Sequence, residues 1–256
     1  MQPQERVLFR RLAVFAGGCT LEDIEAVCAD DPLSSSSTAT NEFLRAAEML
    51  DLLSNLVDKS LVTIAERDSG VAVRYRLLEP IRQFARDELR RSGAETIVRD
   101  RHLAYFIELA EQTEVQLKGD GQLLWISRLE KEHDNLRVAL AWGTQQASHV
   151  VAGLRLAKAL HLFWQRRGYW SEGRRWLAQA IANYDAQPEP QRPGSDFYLA
   201  RASAPFNGPP TTAKMLPPAP PTLNKPMTIN ANPTTMRNPR PNPLDMNLAK
   251  PMTCLL

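Results

Sequence analysis

Residues 56–62 read Leu56-Val57-Asp58-Lys59-Ser60-Leu61-Val62, and the spacing of apolar side chains changes within them. Before this stretch, apolar residues recur every three or four positions, as on one face of a helix. After it they alternate, which is typical of strands. The alternating residues are Val62 and Ile64 in a first run, and Val71, Val73, Tyr75 and Leu77 in a second. Residues 66–70 between the runs suit a hairpin loop, so the stretch predicts a helix followed by a β-hairpin.

Two further helices are predicted ahead of that stretch. The apolar stripe of the first helix consists of Leu8, Leu12 and Phe15. Gly17-Gly18 would end this helix, because glycine tolerates the left-handed backbone at a helix C-terminus. Thr20 would then cap the second helix, with Asp23 three residues later in an approximate capping box.

The third and fourth helices complete the pattern. The predicted buried stripe of the third helix is Phe43, Ala47, Leu50, Leu53 and Val57. Pro80 suits the first turn of the fourth helix. Its predicted inward residues are Ile81, Phe84, Ala85 and Leu89. Three helices, a hairpin and another helix is the order of a winged-helix domain, which we place at residues 1–93 with the third helix in the recognition position.

Residues 94–187 are predicted to be helical throughout. Residues 94–146 form a helical connector whose apolar stripes are Leu103, Phe106, Ile107 and Ala110, then Trp125, Leu129, Leu136 and Leu140. Residues 147–187 fit the frame of one tetratricopeptide-like helical hairpin, with Gly168 at the turn and Gly173 where a small residue is required. A stable array of such repeats needs about three units.

The composition changes abruptly after residue 187. Of the 19 prolines, 16 lie in residues 188–256. Proline removes backbone donors and blocks helix propagation, so we expect a disordered tail rich in Pro, Thr and Asn. Because the change falls within a repeat array, we hypothesise that the tail is translated out of frame from a point between Arg192 and Ser203. The alternative is a native linker with polyproline II structure at residues 216–221.

Several classes of protein do not fit this composition. Cys19, Cys28 and Cys254 include no close pair, which argues against a secreted disulfide framework. No apolar run approaches the roughly 18–20 residues of a membrane span, so we expect a cytoplasmic protein without membrane contact. The four histidines have no acid or cysteine at the spacing of metal ligands. We therefore expect no enzymatic activity, no metal and no cofactor in this chain.

Five stretches together resemble one protein family. They are Leu12-Ala13-Val14-Phe15-Ala16-Gly17-Gly18-Cys19-Thr20-Leu21, Leu56-Val57-Asp58-Lys59-Ser60-Leu61-Val62, Tyr75-Arg76-Leu77-Leu78-Glu79, Glu132-His133-Asp134-Asn135-Leu136-Arg137 and Glu172-Gly173-Arg174-Arg175-Trp176-Leu177. They are similar to the region after the nucleotide-binding domain in bacterial NB-ARC-like signal-transduction ATPases, many of which are LuxR-type or antibiotic-regulatory transcriptional regulators. The resemblance covers roughly residues 5–187.

The resemblance implies an upstream nucleotide switch, a winged helix and a repeat array that acts as a sensor. The phosphate-binding sequence Gly-x-x-x-x-Gly-Lys-Ser/Thr is absent from this chain, so ATP is expected only in an upstream domain. The repeat array is represented by one unit. By resemblance the chain is the middle of a regulator, and its partner is the nucleotide-binding domain of the parent protein or another protein.

The third helix is poorly suited to reading DNA. Residues 41–59 hold two cations, Arg45 and Lys59, beside four acids, Glu42, Glu48, Asp51 and Asp58. Recognition helices bring Arg, Lys, Asn or Gln to base edges, and cations to the phosphates. Residues 1–187 as a whole hold 24 Lys/Arg and 26 Asp/Glu, so this region is slightly acidic. DNA binding by this segment is therefore not expected.

A second candidate surface is rich in arginine and tryptophan. All five tryptophans lie between residues 125 and 176, and residues 151–180 carry six cations against one acid, Glu172. Such enrichment is typical of interface hot spots. The predicted partner-binding residues are Arg155, Trp164, Arg166, Arg167, Trp170, Arg174, Arg175 and Trp176. The alternative is that the tryptophans fill the core between helices and the cations form a solvated face.

The sequence thus favours a mainly α fold: a winged helix with a small β-hairpin, helical hairpins and a disordered tail. Its most favoured function is a non-catalytic coupling segment of a nucleotide-switched regulator, acting through protein–protein contacts. Two alternatives remain, a DNA-binding winged-helix transcription factor and a peptide-binding helical-repeat scaffold.

Overall fold

A computed structural model describes residues 1–31, 42–65, 73–117, 119, 121–145 and 147–186. They all belong to one compact unit, Met1–Pro209. The predictions for the hairpin loop at 66–70, for Cys254 and for the tail at 188–256 lie outside these residues. No helix among the described residues is both long and apolar enough to cross a membrane.

The described chain is mainly helical and begins with a winged helix, as predicted. Its helices are α1 (Pro3–Arg11), α2 (Leu21–Cys28), α3 (Met49–Asp58) and α4 (Glu79–Arg91). Short 3-10 turns follow α1 at Leu12–Val14 and precede α3 at Ala46–Glu48. The predicted capping box of α2 is present: the Asp23 amide donates to Thr20 Oγ1 at 3.2 Å, and the Thr20 amide donates to Asp23 Oδ2 at 2.7 Å.

The small sheet has three strands, one more than the predicted hairpin. Strand β1 (Cys19–Thr20) pairs antiparallel with β3 (Arg74–Arg76), which pairs antiparallel with β2 (Thr63–Ala65). β1 has two residues, too few to show the alternation that identifies a strand in a sequence. The pairing of Cys19 with Tyr75 ties the loop after α1 to the wing.

The predicted stripe of α3 was correct at Leu53, which is buried, and wrong at Ala47 and Leu50, which are exposed. The helix begins at Met49, so its buried residues are Met49, Leu52, Leu53 and Leu56. Leu50 is 50% exposed. On α4, Ala85 and Leu89 are buried as predicted, but Phe84 is 58% exposed, with its ring 6.4 Å from that of Phe9. In both helices the misplaced residue lies next to the correct stripe, about 100° round the helix.

Among the described residues, six α-helices follow the winged helix. They are α5 (Glu95–Gln116), α6 (Gln122–Lys131), α7 (His133–Gln145), α8 (Val150–Ala159), α9 (His161–Arg167) and α10 (Trp170–Asp185). The predicted stripe of α5, from Leu103 to Ala110, is buried. The stripe predicted from Trp125 to Leu140 belongs to two helices, because the chain leaves helical geometry at Glu132. Gly168 has φ +76° in the turn between α9 and α10, where the sequence placed it.

Two glycines bring α7 and α8 into backbone contact. A Cβ atom on Gly153 would lie 2.5 Å from the carbonyl oxygen of Gly143 and 2.7 Å from its carbonyl carbon. Side chains would hold the helices farther apart, so the absence of Cβ atoms permits this close crossing. Gly173 has a similar role on α10, where a Cβ would lie 2.8 Å from the Trp164 ring.

A buried histidine lies where the winged helix meets α5. His102 is 2% exposed, and its ring centroid lies 5.3 Å from that of Phe15 and 4.6 Å from that of Phe106. Its Nε2 atom is buried without a hydrogen-bond partner in the described structure. Burial lowers the pKa of His102 from 6.5 to about 3, since the charged ring would lose its hydration.

This burial predicts a loss of stability in mild acid. Between about pH 3 and 6.5 the unfolded chain binds a proton that folded His102 does not, so the free energy of unfolding falls as the pH falls through this window. From pH 6.5 to 5 the expected loss is about 2 kcal/mol. Urea unfolding of the wild type at both pH values should show this loss. His102→Phe should lack the part of the loss that comes from His102. Burial also lowers the pKa values of His133 and His161, which remain in both proteins, so the difference between the two proteins is the measurement. Equal losses would contradict the prediction.

Candidate functional site

Besides its contact with α5, the winged helix meets the helical extension at the start of α7. The contact is made by Glu132-His133-Asp134-Asn135-Leu136-Arg137, one of the stretches that carries the family resemblance. Glu132 and Asn135, three residues apart, face the winged helix, while His133 and Arg137 face α10. This short segment therefore contacts both halves of the molecule, and we name the contacts with the winged helix the junction clamp (Arg74, Glu132 and Asn135).

Asn135 binds the backbone of the loop that precedes β1. It is completely buried, and its Oδ1 accepts from the Ala16 amide at 2.8 Å and from the Gly17 amide at 3.4 Å. Its Nδ2 donates to the Gly18 carbonyl at 2.8 Å and to Glu132 Oε2 at 2.7 Å. The side-chain amide thus uses both donors and its acceptor on this contact.

Glu132 and Arg74 form a mostly buried ion pair within the clamp. Their side chains are 5% and 16% exposed, and Arg74 Nη1 donates to Glu132 Oε1. Arg74 Nη2 also donates to the carbonyl oxygen of Gly18 at 2.9 Å. Burial raises the pKa of the Glu132 carboxyl, and the hydrogen bonds from Arg74 and Asn135 oppose this rise. Strand β3 is thereby joined to α7 through a charge pair shielded from water.

The other side of the same segment binds α10. Arg137 donates from Nε and Nη2 to the two carboxylate oxygens of Glu172 at 2.7 and 2.8 Å. These bonds lower the pKa of Glu172. His133 Nε2 lies 3.4 Å from Glu172 Oε2, and the His133 ring centroid lies 4.7 Å from that of Tyr169. The start of α7 therefore contacts α10 on one side and the winged helix on the other.

The residues that the structure describes include four histidines and two cysteines. No group of three or more His, Cys, Asp or Glu among them could hold a metal ion. Burial raises the pKa of Cys28 to about 12 and that of Cys19 well above its usual value, so neither thiol would ionise near neutral pH.

The predicted tryptophans differ in their accessibility. Trp164 is 1% exposed and packs on Gly173, so a partner cannot reach it in this structure, and here the core alternative is correct. Trp176 is half-buried, and the Arg175 guanidinium lies 5.1 Å from its ring centroid. Trp170 is 42% exposed at the start of α10.

The predicted arginines divide into paired and unpaired groups. Arg155 donates to both carboxylate oxygens of Glu111 at 3.0 and 2.9 Å, and Arg167 pairs with Glu130. Arg166 and Arg174 are exposed and have no ion-pair partner among the described residues. The exposed members of the predicted surface therefore lie on α8 (Arg155), on α9 and on the first half of α10. No contact in the structure tests them as a partner site.

The exposed face of α3 is acidic and partly apolar. Residues 49–58 contain no lysine or arginine, and Asp51 and Asp58 are exposed together with Leu50. Lys59, at the end of the helix, places Nζ 2.8 Å from both carboxylate oxygens of Glu5. The helix in the recognition position thus offers no lysine or arginine of its own to a phosphate.

Comparisons with known proteins agree with the architecture of the N-terminal region. Residues 1–90 match the family described as "Winged helix-turn-helix domain". A protein of Mycobacterium bovis named "Putative HTH-type transcriptional regulator" is 40% identical over 173 residues, which cover 68% of this chain and 18% of that protein. A protein of the same name from Mycobacterium tuberculosis gives the same identity and coverage. An uncharacterized protein of Mycobacterium bovis is 36% identical over 117 residues, or 46% of this chain and 26% of the relative.

The similarity covers only part of this chain and a smaller part of each named regulator. The chain spans 18% of the length of the regulators named first, so most of each relative has no counterpart in it. No solved structure matches the chain. The 173 matched residues exceed the length of the winged helix, so the similarity extends into the helical extension. The N-terminal third of the chain is therefore a winged helix-turn-helix domain, and the chain is similar over 68% of its length to part of proteins named as HTH-type transcriptional regulators.

Proposed function

We propose that this chain is a non-catalytic coupling segment of a nucleotide-switched transcriptional regulator of the NB-ARC-like, LuxR-type class. In this proposal the winged helix packs against the nucleotide-binding domain of the parent protein, which binds ATP. The tetratricopeptide-like hairpin of residues 147–187 receives a signal or a protein partner. The segment acts through protein–protein contacts and changes no substrate.

The observation that carries the proposal is the acidic face of α3. A helix that reads DNA brings cations to a strongly negative backbone. Asp51 and Asp58 would instead repel that backbone, whereas Leu50 offers an apolar contact to a protein. The regulator names of the relatives support a regulatory role for the whole protein.

The junction clamp supports the coupling role. A regulatory segment can transmit a displacement only if its parts do not move independently. Asn135 and the Glu132–Arg74 pair join the winged helix to α7, and Arg137 joins α7 to Glu172 on α10. A signal that moves α10 would therefore reach the winged helix through buried and charged contacts.

DNA binding tests this proposal against its main alternative. We expect the chain to bind a 30-base-pair duplex with a Kd of about 1 μM or weaker at physiological salt, measured by fluorescence anisotropy. A Kd of about 1 μM is the tightest that is typical of non-specific binding. The double variant Asp51→Lys/Asp58→Lys should bind at least about fivefold more tightly, because it adds cations to the recognition position. Glu108→Lys on the exposed surface of α5 adds charge elsewhere and is the control.

A different result would favour a DNA-binding transcription factor. Nanomolar binding by the wild-type chain, weakening steeply between 50 and 200 mM salt, would overturn the proposal. So would a loss of binding in the Asp51→Lys/Asp58→Lys variant, because that would show a sequence-reading role for these carboxylates. The peptide-binding scaffold remains an alternative that rests on the exposed Trp170, Arg166 and Arg174.

A further inference from the structure

A cavity of about 440 Å³ lies between the winged helix and α6. Such a volume falls within the roughly 300–1,000 Å³ typical of small-molecule sites, which are often found where two parts of a protein meet. Its walls include Thr20 and Asp23 from the winged helix, and Leu124, Trp125, Arg128 and Lys131 from α6. Arg74 and Glu132 of the junction clamp also line it. An occupant would thus contact both halves of the molecule beside the clamp.

One side of the cavity is apolar and aromatic. Leu124 is 75% exposed, and Trp125 is half-buried beside it. The guanidinium of Arg128 lies 5.7 Å from the Trp125 ring centroid. A flat apolar molecule placed against Leu124 and Trp125 would cover surface that water now contacts.

The charge that remains available in the cavity is positive. The carboxylate of Asp23 accepts from the Thr20 amide and from the Tyr105 hydroxyl at 2.6 Å, and Glu132 is held by Arg74 and Asn135. Arg128 has one exposed partner, Glu22, at 3.3 Å. Lys131 has no side-chain hydrogen bond or ion pair with any other described residue. Glu22, the third acid of the lining, is the one that pairs with Arg128. Each acid of the lining thus has a partner, while Lys131 can bind an anion.

We propose that this cavity binds a small molecule with a flat aromatic body and one anionic group. The aromatic body packs against Leu124 and Trp125, and the anionic group pairs with Lys131. The site goes beyond the coupling role proposed above. It does not depend on that role, because it is argued from the residues that line the cavity. Binding there would bridge the winged helix and α6.

The probe for this site is 8-anilinonaphthalene-1-sulfonate, which combines an aromatic body with one sulfonate. We expect one molecule to bind per chain. N-phenyl-1-naphthylamine has the same aromatic body without the charge and should bind at least about fivefold more weakly, because it cannot pair with Lys131. Equal affinities for the two probes would overturn the anionic part of the proposal.

Two adjacent leucines provide a matched pair of variants. Leu124 lines the cavity, whereas Leu123 does not, although they are 75% and 79% exposed. Leu124→Ser should weaken binding of the sulfonate by about tenfold or more, whereas Leu123→Ser should change it less than twofold. Lys131→Gln should remove the preference for the charged probe, and Lys158→Gln on the exposed surface of α8 should retain it. Equal effects of the two leucine variants would place the probe elsewhere and overturn the site.

Discussion

Glu132→Ala is expected to lower the free energy of unfolding by about 3 kcal/mol, because it leaves the guanidinium of Arg74 without its carboxylate in a mostly buried site. Breaking a buried ion pair by removing one partner typically lowers stability by about 3–5 kcal/mol. Arg74 keeps the carbonyl oxygens of Gly18 and Lys131 as acceptors, which places the expected loss at the low end of that range. Urea unfolding monitored by circular dichroism would measure the change.

The control for this experiment is Glu22→Ala. Glu22 is 71% exposed and pairs with Arg128 at 3.3 Å, so its removal should change the stability by less than about 0.5 kcal/mol. Hydrogen exchange should also separate the variants: amides of α7 should exchange faster in Glu132→Ala and be unchanged in Glu22→Ala. A stability loss below about 1 kcal/mol in Glu132→Ala would show that the clamp does not hold the two halves together.

Gly153→Ala is the second change with a large expected effect. The new Cβ would lie 2.5 Å from the carbonyl oxygen of Gly143, and a backbone atom cannot turn aside as a side chain can. Helices α7 and α8 must therefore separate, and the contacts around their crossing are lost. Overpacking of this kind typically lowers stability by about 1–3 kcal/mol. We expect about 3 kcal/mol because the new Cβ meets main-chain atoms of the facing helix.

Tryptophan fluorescence would follow this effect, because all five tryptophans lie between residues 125 and 176. Gly121→Ala is the matched control: its Cβ would lie 3.8 Å from the nearest atom, in the Trp125 ring, which is ordinary contact. This control should stay within about 0.5 kcal/mol of the wild type. Equal unfolding midpoints for the two alanine variants would show that the helices separate without loss of packing.

The helices could be predicted where a local signal determines them. The pair Thr20 and Asp23 marked the start of α2, because capping depends on neighbouring residues alone. The stripe of α5 was predicted correctly because the helix is 22 residues long and its period is unbroken there. The stripe of α3 was predicted only in part, because the start of the helix, at Met49, has no capping side chain to mark it.

The junction clamp could not be predicted as a contact, although its residues could be found. Glu132 and Asn135 lie within a stretch that carried the family resemblance. They are three residues apart, a spacing that places two side chains on the same face of a helix. Their partner, Arg74, is 58 residues from Glu132 and reads in the sequence as an outward residue of the wing. Pairing over such a separation depends on how α7 packs against the sheet, which no local pattern specifies.

Trp164 shows a limit of composition as a guide to interfaces. Tryptophan is enriched both in hot spots and in cores, so its presence does not distinguish the two. The signal that could have separated them was Gly173, which lies nine residues later and is small enough to receive the ring.

The way Asn135 binds has a consequence for how such proteins diversify. Its oxygen accepts from the main-chain amides of Ala16 and Gly17, and its nitrogen donates to the main-chain carbonyl of Gly18. Every residue type except proline presents the same amide at position 16, so mutation there need not disturb the attachment. A chimera with a different winged helix would therefore keep the Asn135 attachment if the loop kept its backbone path. It would still need a cation at position 74 to pair with Glu132.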